Sequence, residues 1–117
     1  MNATPQADDC LFCKIIAGEI PSDLVAENER AVAFRDINPA APVHVLVVPK
    51  RHEPNIAALA AASPEDLSAL FALVAEVVQQ EGVAEHHRLL FNTGADAGQT
   101  IFHAHGHVLG GTTFTER

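Results

Sequence analysis

Between Cys10 and Glu19 the apolar residues Leu11, Phe12, Ile15 and Ile16 recur with helical rather than strand spacing, and Gly18 with Pro21 closes the run. A short helix over 10–19 is predicted. Leu24–Glu27 and Ala31–Asp36 read as strands flanking the polar Asn28-Glu29-Arg30 turn, which predicts a hairpin. After the breaks at Asn38-Pro39 and Pro42, Val43–Val48 is almost continuously β-branched and ends at Pro49. Such a run predicts a central strand covered on both faces, with His44 its polar exception. Ser63-Pro64-Glu65-Asp66 then combines an N-cap serine, a first-turn proline and acids at the positive end of the helix dipole. The helix should run to Gly82, burying Leu67, Leu70, Phe71, Val74, Val77 and Val78 and leaving Ala69, Ala72, Leu73 and Ala75 on its other side. Arg88–Asn92 and His103–Leu109 predict two more strands, joined by a loop holding Gly94 and Gly98. Residues 1–9 read as a disordered lead, and no linker divides 10–117, so a single domain is expected there. Five strands and two or three helices, mostly segregated, predict an α+β fold with a mostly antiparallel sheet.

Composition narrows the partners. Seven Lys+Arg against 15 Asp+Glu give a net charge of −8, which argues against nucleic acid or an anionic membrane as a partner. The longest apolar run, Ala69–Ala75, is far short of the roughly 20 residues of a membrane span. Met1–Asp9 has neither the basic start nor the apolar stretch of a secretory signal, so a cytoplasmic location is expected. Cys10 and Cys13 are the two cysteines, and their spacing suits a metal pair or a redox motif better than a disulfide framework.

Of seven histidines, three stand at alternate positions: His103, His105 and His107. On a strand these would project side by side from one face, about 6.6 Å apart, with Ala104 and Gly106 pointing the other way. Such a row can bind metal, divide nucleophilic and acid/base work, or form a structural ladder. One extended backbone gathers three rings around a single ion poorly, so division of labour is the better reading. His86 and His87 fall in a polar stretch and are expected to be solvated.

The run His103-Ala104-His105-Gly106-His107-Val108-Leu109, preceded by Gly98-Gln99-Thr100-Ile101-Phe102, resembles the signature of the histidine triad (HIT) family, and the ending Val108-Leu109-Gly110-Gly111 is similar to its Hint branch. The resemblance extends to Cys10-Leu11-Phe12-Cys13-Lys14-Ile15-Ile16, to Phe34-Arg35-Asp36-Ile37-Asn38-Pro39 and to His44-Val45-Leu46-Val47-Val48-Pro49-Lys50-Arg51-His52. It implies that His105 attacks the α-phosphate of a nucleotide, with His107, His44 and His103 completing the catalytic set. Neutral imidazole is a competent nucleophile near pH 7, and the nucleotidyl-imidazole it forms splits a hard displacement in two. It also implies that Asp36 accepts the ribose hydroxyls, that Phe12, Phe34, Ile37 and Leu46 wall the base pocket, and that Asn92, Gln99 and Thr100 contact phosphate or leaving group beside His105 and His107. Thr100 stands where the branch usually has serine, keeping the hydroxyl. Gly106 stands where the pattern has a bulky apolar residue, and is expected to loosen the packing behind His105.

By the same resemblance a structural zinc would be held by Cys10, Cys13, His52 and His103, closed to substrate and fixing His103 beside the nucleophile. The implied activity is hydrolysis of purine nucleoside phosphoramidates, of the adenosine 5′-monophosphoramidate type, or of related nucleoside phosphates. Alternatives are a dinucleoside polyphosphate hydrolase, a non-catalytic AMP-binding or partner-binding module, and a small metal-binding protein. The resemblance to the Hint branch also implies a two-fold homodimer with one continuous sheet, which suits an open sheet with edges to cover and a Ser63–Gly82 helix apolar nearly all round. That helix and the Arg88–Asn92 strand are the expected contact, the alternative cover for the helix being Ile56–Ala62 of the same chain.

Overall fold

A computed structural model describes residues 10–114, so the lead expected over 1–9 and the last three residues lie outside the described part. The order of elements is α1 (Leu11–Ile16), β1 (Leu24–Glu27), β2 (Ala31–Arg35), β3 (Val43–Pro49), α2 (Ile56–Ala62), α3 (Pro64–Gln80), β4 (His87–Leu90) and β5 (Gly106–Gly110), with a 3-10 turn at Ala95–Ala97. The strands form one antiparallel sheet in the order β1-β2-β3-β5-β4. The α+β expectation therefore holds.

β3 sits at the centre for the reason its sequence suggested. Val45 and Val47 point into a core shared with Leu59 of α2 and Leu70, Leu73, Val74 and Val77 of α3. Leu46 and Val48 point into a second core with Phe12, Val32, Phe34 and the two cysteines. β2 is sorted in the same way. Its small Ala31 and Ala33 lie toward α3, while the larger Val32 and Phe34 face α1.

Several boundaries move. α1 ends at Ile16 rather than Glu19, because Ala17 already caps it and Gly18 turns away with φ +81°. β2 stops at Arg35, and Asp36 begins the turn instead. α2 is a helix of its own, capped by the Asn55 side chain, and it packs against α3. On α3 the buried stripe contains Leu73, fully buried, and not Phe71, which is 44% exposed. Helix geometry explains the exchange: the stripe is centred on Leu70, Val74 and Val77, from which position 73 lies about 60° away and position 71 about 100° on the other side. β4 starts one residue early, at His87, and ends at Leu90, leaving Phe91 and Asn92 beyond the ladder. His87 is exposed, but its Nδ1 is bound to the Val83 carbonyl at 2.8 Å, so it is not simply solvated.

The largest correction concerns β5. It covers Gly106–Gly110, so of the three alternate histidines only His107 belongs to the strand. Its register with β3, from Val43↔Gly110 to Val47↔Gly106, would bring Val48 opposite His105 and then Pro49 opposite Ala104. Proline has no N–H for a ladder. The Ala104 N–H donates instead to the Glu53 carbonyl at 2.7 Å, and the Pro49 carbonyl accepts from the His103 ring at 2.8 Å.

Candidate active site and metal cluster

Two constellations stand side by side, joined through His103. Cys10 is the N-cap of α1, and its Sγ accepts the Cys13 N–H at 3.1 Å. One helical turn thus brings both sulfurs to one side. Across from them the His103 Nε2–H donates to Pro49, which leaves a lone pair on Nδ1 facing the cluster. That Nδ1 lies 3.4 Å from Cys10 Sγ, 3.5 Å from Cys13 Sγ and 3.1 Å from His52 Nδ1, and His52 Nδ1 lies 3.3 Å from Cys13 Sγ. A tetrahedral zinc site with Zn–N and Zn–S bonds of about 2.0 and 2.3 Å has edges of about 3.3–3.5 Å between such donors. The four residues fit a closed structural site. Burial first, then the neighbouring His52 and His105, lowers the pKa of His103 to about 4, which keeps its ring neutral and able to ligate.

The His103 main chain serves the second constellation. Its carbonyl accepts from His105 Nδ1 at 2.7 Å, and this fixes the proton on Nδ1 and leaves Nε2 with its lone pair. Burial lowers the His105 pKa as well. Phe12 stands edge-on to the His105 ring at 4.9 Å and to His103 at 6.0 Å, so the two rings do share a side, as alternation implied. They do different things there.

His107, with its ring centroid 5.1 Å from that of His105, is oriented from the other flank. The Ala40 N–H donates to His44 Nδ1 at 3.0 Å, so neutral His44 carries its proton on Nε2. That proton points at His107 Nδ1, 3.0 Å away, and at Asp36 Oδ2, 3.4 Å away. His107 is thereby set with its own proton on Nε2. Burial, and then the neighbouring His105 and His44, hold its pKa down at about 4. Asp36 is tied by an Asx turn in which Oδ1 accepts the Asn38 N–H at 2.8 Å.

Beside these groups a cleft of about 450 Å³ is bounded by Phe12, Phe34, Leu46, Asp36, Ile37 and Thr100, among others. Ile37 at its rim is 92% exposed. The volume suits a nucleoside-sized ligand. Gln99 is placed differently from what a ligand contact requires: it is buried, its Nε2 donates to the carbonyls of Pro54 and Ile101, and its Oε1 accepts the Gly94 N–H. Its amide shapes the loop. Asn92 follows β4 at the loop's base, beneath Gly98, which has φ +98°.

The backbone partners, Ala40 N–H and the Pro49 and His103 carbonyls, were not legible beforehand, because main-chain atoms leave no residue signature. Phe91 was missed as well. A β-carbon at Gly106 would lie 2.8 Å from its ring, so Phe91 fills the space expected to be slack.

Comparison with known proteins reaches the same place. The HIT domain matches residues 17–114. This chain belongs to the HIT family. Purine nucleoside phosphoramidase of Escherichia coli strain K12 is 41% identical over 106 residues, covering 90% of this chain and 89% of that one. Adenylylsulfatase HINT1 of Arabidopsis thaliana is 39% identical over 95% of this chain and 77% of its own length, which supports the Hint-like branch. Among solved structures, the HIT family hydrolase from Clostridium thermocellum superposes with a TM-score of 0.91 at 42% identity, over 96% of this chain and 98% of that one. The HIT match begins after Cys10 and Cys13, so half of the metal cluster lies ahead of it.

Proposed function

We propose that this HIT protein hydrolyses purine nucleoside phosphoramidates at the α-phosphate through a nucleotidyl-His105 intermediate. The observation that carries the reading is the bond from His105 Nδ1–H to the His103 carbonyl, which leaves a lone pair on Nε2 of a ring that stands against Phe12, a wall residue of the nucleoside-sized cleft. In the first half-reaction Nε2 attacks phosphorus and the bond to the amine breaks. The departing nitrogen takes a proton, for which the His107 Nε2–H is the near donor, with His44 behind it. In the second half water attacks the same phosphorus, its proton passes to the His107 Nε2 that gave one up, the His105 Nε2–phosphorus bond breaks, and the nucleoside monophosphate is released with both rings restored. Asp36 would hold the ribose hydroxyls with the acceptor positions that Asn38 leaves open, while Phe12, Phe34, Leu46 and Ile37 flank the base. Thr100 and Asn92 would face the phosphate or leaving group, and Gln99 would act by holding the loop between them.

A zinc ion on Cys10, Cys13, His52 and His103 would supply rigidity rather than Lewis acidity, since four protein ligands leave no open position. The exposed β4 edge, with Phe71, Ala72 and Ala75 exposed on α3, supports a two-fold homodimer that extends the sheet. Among the described residues no helix is long and apolar enough to cross a membrane. A second reading, an adenylyl sulfate hydrolase, is favoured by the adenylylsulfatase relative and uses the same attack with another leaving group.

The test is turnover of adenosine 5′-phosphoramidate, adenylyl sulfate and a dinucleoside polyphosphate by the wild type and by His105→Ala. Fastest turnover on the phosphoramidate, lost in the variant while AMP still binds, supports the reading. Full activity in His105→Ala would sink it.

A further inference from the structure

The back of the catalytic strand explains how two of the histidines are kept apart. Gly106, Val108 and Gly110 of β5 are buried, with Val108 in the core under α3, whereas His107 and Leu109 alternate with them. Gly106 is not among the glycines with positive φ, so backbone conformation does not demand it. Space does. A β-carbon there would lie 2.8 Å from both Cε1 and Cζ of Phe91 and 3.3 Å from Cδ1 of Leu89. Phe91 lies just past the end of β4, so packing rather than the ladder sets its place, and its ring meets Phe71 of α3 at 5.9 Å between centroids.

Gly106 is the residue between His105 and His107, and glycine is the residue with the most backbone freedom to lose. Left open behind, it would let the peptides on either side rock, and the 5.1 Å relation of the two imidazoles would rock with them. We infer that Phe91 is a positioning residue: pressed against Gly106, it holds the spacing of His105 and His107 that attack and proton delivery both need. Gly110 has a matching contact four residues on, where a β-carbon would lie 2.8 Å from Val83 Cγ1. Val83 is buried in the core and packs against Gly110, three residues past His107, which makes it the natural control.

The rate measurements rest on the proposed reaction, whereas the ring signals do not. Phe91→Ala, Val83→Ala and the double variant Phe91→Ala/Gly106→Ala are compared with wild type by kcat and KM on adenosine 5′-phosphoramidate, AMP affinity, melting temperature and ¹⁵N imidazole resonances. Phe91→Ala should lower kcat about tenfold to 10²-fold, the scale of a displacement of about 1 Å, with AMP affinity within about twofold of wild type. The His105 and His107 resonances should shift or broaden together. Val83→Ala should lose melting temperature yet keep kcat and both resonances, and the double variant should regain part of the lost rate because its new methyl re-enters the gap. Phe91→Leu, read for the same signs, replaces Phe91→Ala if the latter does not fold. Unchanged kcat and resonances in the Phe91 variant overturn the inference. So does an equal kcat loss in Val83→Ala, or a fall in AMP affinity matching the fall in kcat. A wild type inactive on the phosphoramidate would fail the reaction reading alone, and the resonances would still decide for or against Phe91.

Discussion

The Cys/His cluster and the cleft beside it are neighbours built on opposite plans. At the cluster Cys10, Cys13 and His103 are buried, and the His103 ring is committed at both nitrogens, to Pro49 and to the ligand set. At the cleft the reactive Nε2 of His105 and the Nε2–H of His107 are unclaimed by the hydrogen bonds that fix their partner nitrogens, and Ile37 stands in solvent. One constellation is closed and the other open. His103 belongs to both, through its ring on one side and its carbonyl on the other.

The hardest blow to the contrast is removal of the proposed nucleophile. His105→Ala should cut turnover by about 10⁴-fold or more while leaving melting temperature and AMP binding close to wild type, as measured by single-turnover kinetics and calorimetry. At the cluster the opposite profile is expected: stripping zinc with a chelator, or Cys13→Ser, should lower the melting temperature by ten degrees or more, on the order of several kcal/mol, with a smaller change in AMP affinity. Equal losses of stability and affinity would erase the distinction.

Proton linkage gives a third test. The pKa of His107 falls from the ordinary 6.5 to about 4 in the folded chain, chiefly by burial. The unfolded chain therefore binds the extra proton first, so this group's contribution is full above pH 6.5 and is lost as pH falls toward 4, by no more than about 3 kcal/mol. Denaturant titrations of His107→Gln should show a shallower decline across that window than wild type; an identical decline would contradict the assignment. The smallest effect is expected at the rim. Ile37→Ser, at a position already in water, should change stability by less than about 0.5 kcal/mol yet weaken AMP binding by about tenfold. A stability loss with unchanged affinity would remove Ile37 from the base pocket.

Legibility in the sequence followed the source of each constraint. The Val43–Val48 run announced its place at the sheet centre because burial on both faces demands apolar residues at every position. Cys10, Cys13, His52 and His103 could be grouped by resemblance, and the geometry assembles them. The end of β5 could not be read from alternation, since what stops the ladder is Pro49, on another strand. Phe71 and Leu73 were exchanged because both fit a helical stripe and only the position of the sheet selects between them. Phe91 was missed for a related reason. Its partner Gly106 reads as weakness until the residue that fills the gap is seen.

The contact between Cys10 and His103 spans 93 positions of chain, nearly the whole described length. Closing so large a loop is entropically costly and comes late in folding, after local hairpins and helices have formed. Because the carbonyl that orients His105 belongs to that same His103, a growing chain has β1 to β3 and a cleft wall before it has an oriented His105 ring. During synthesis His103 and His105 therefore emerge together with β5, the strand that joins β3 to β4, so the sheet and the candidate site are completed in the same step.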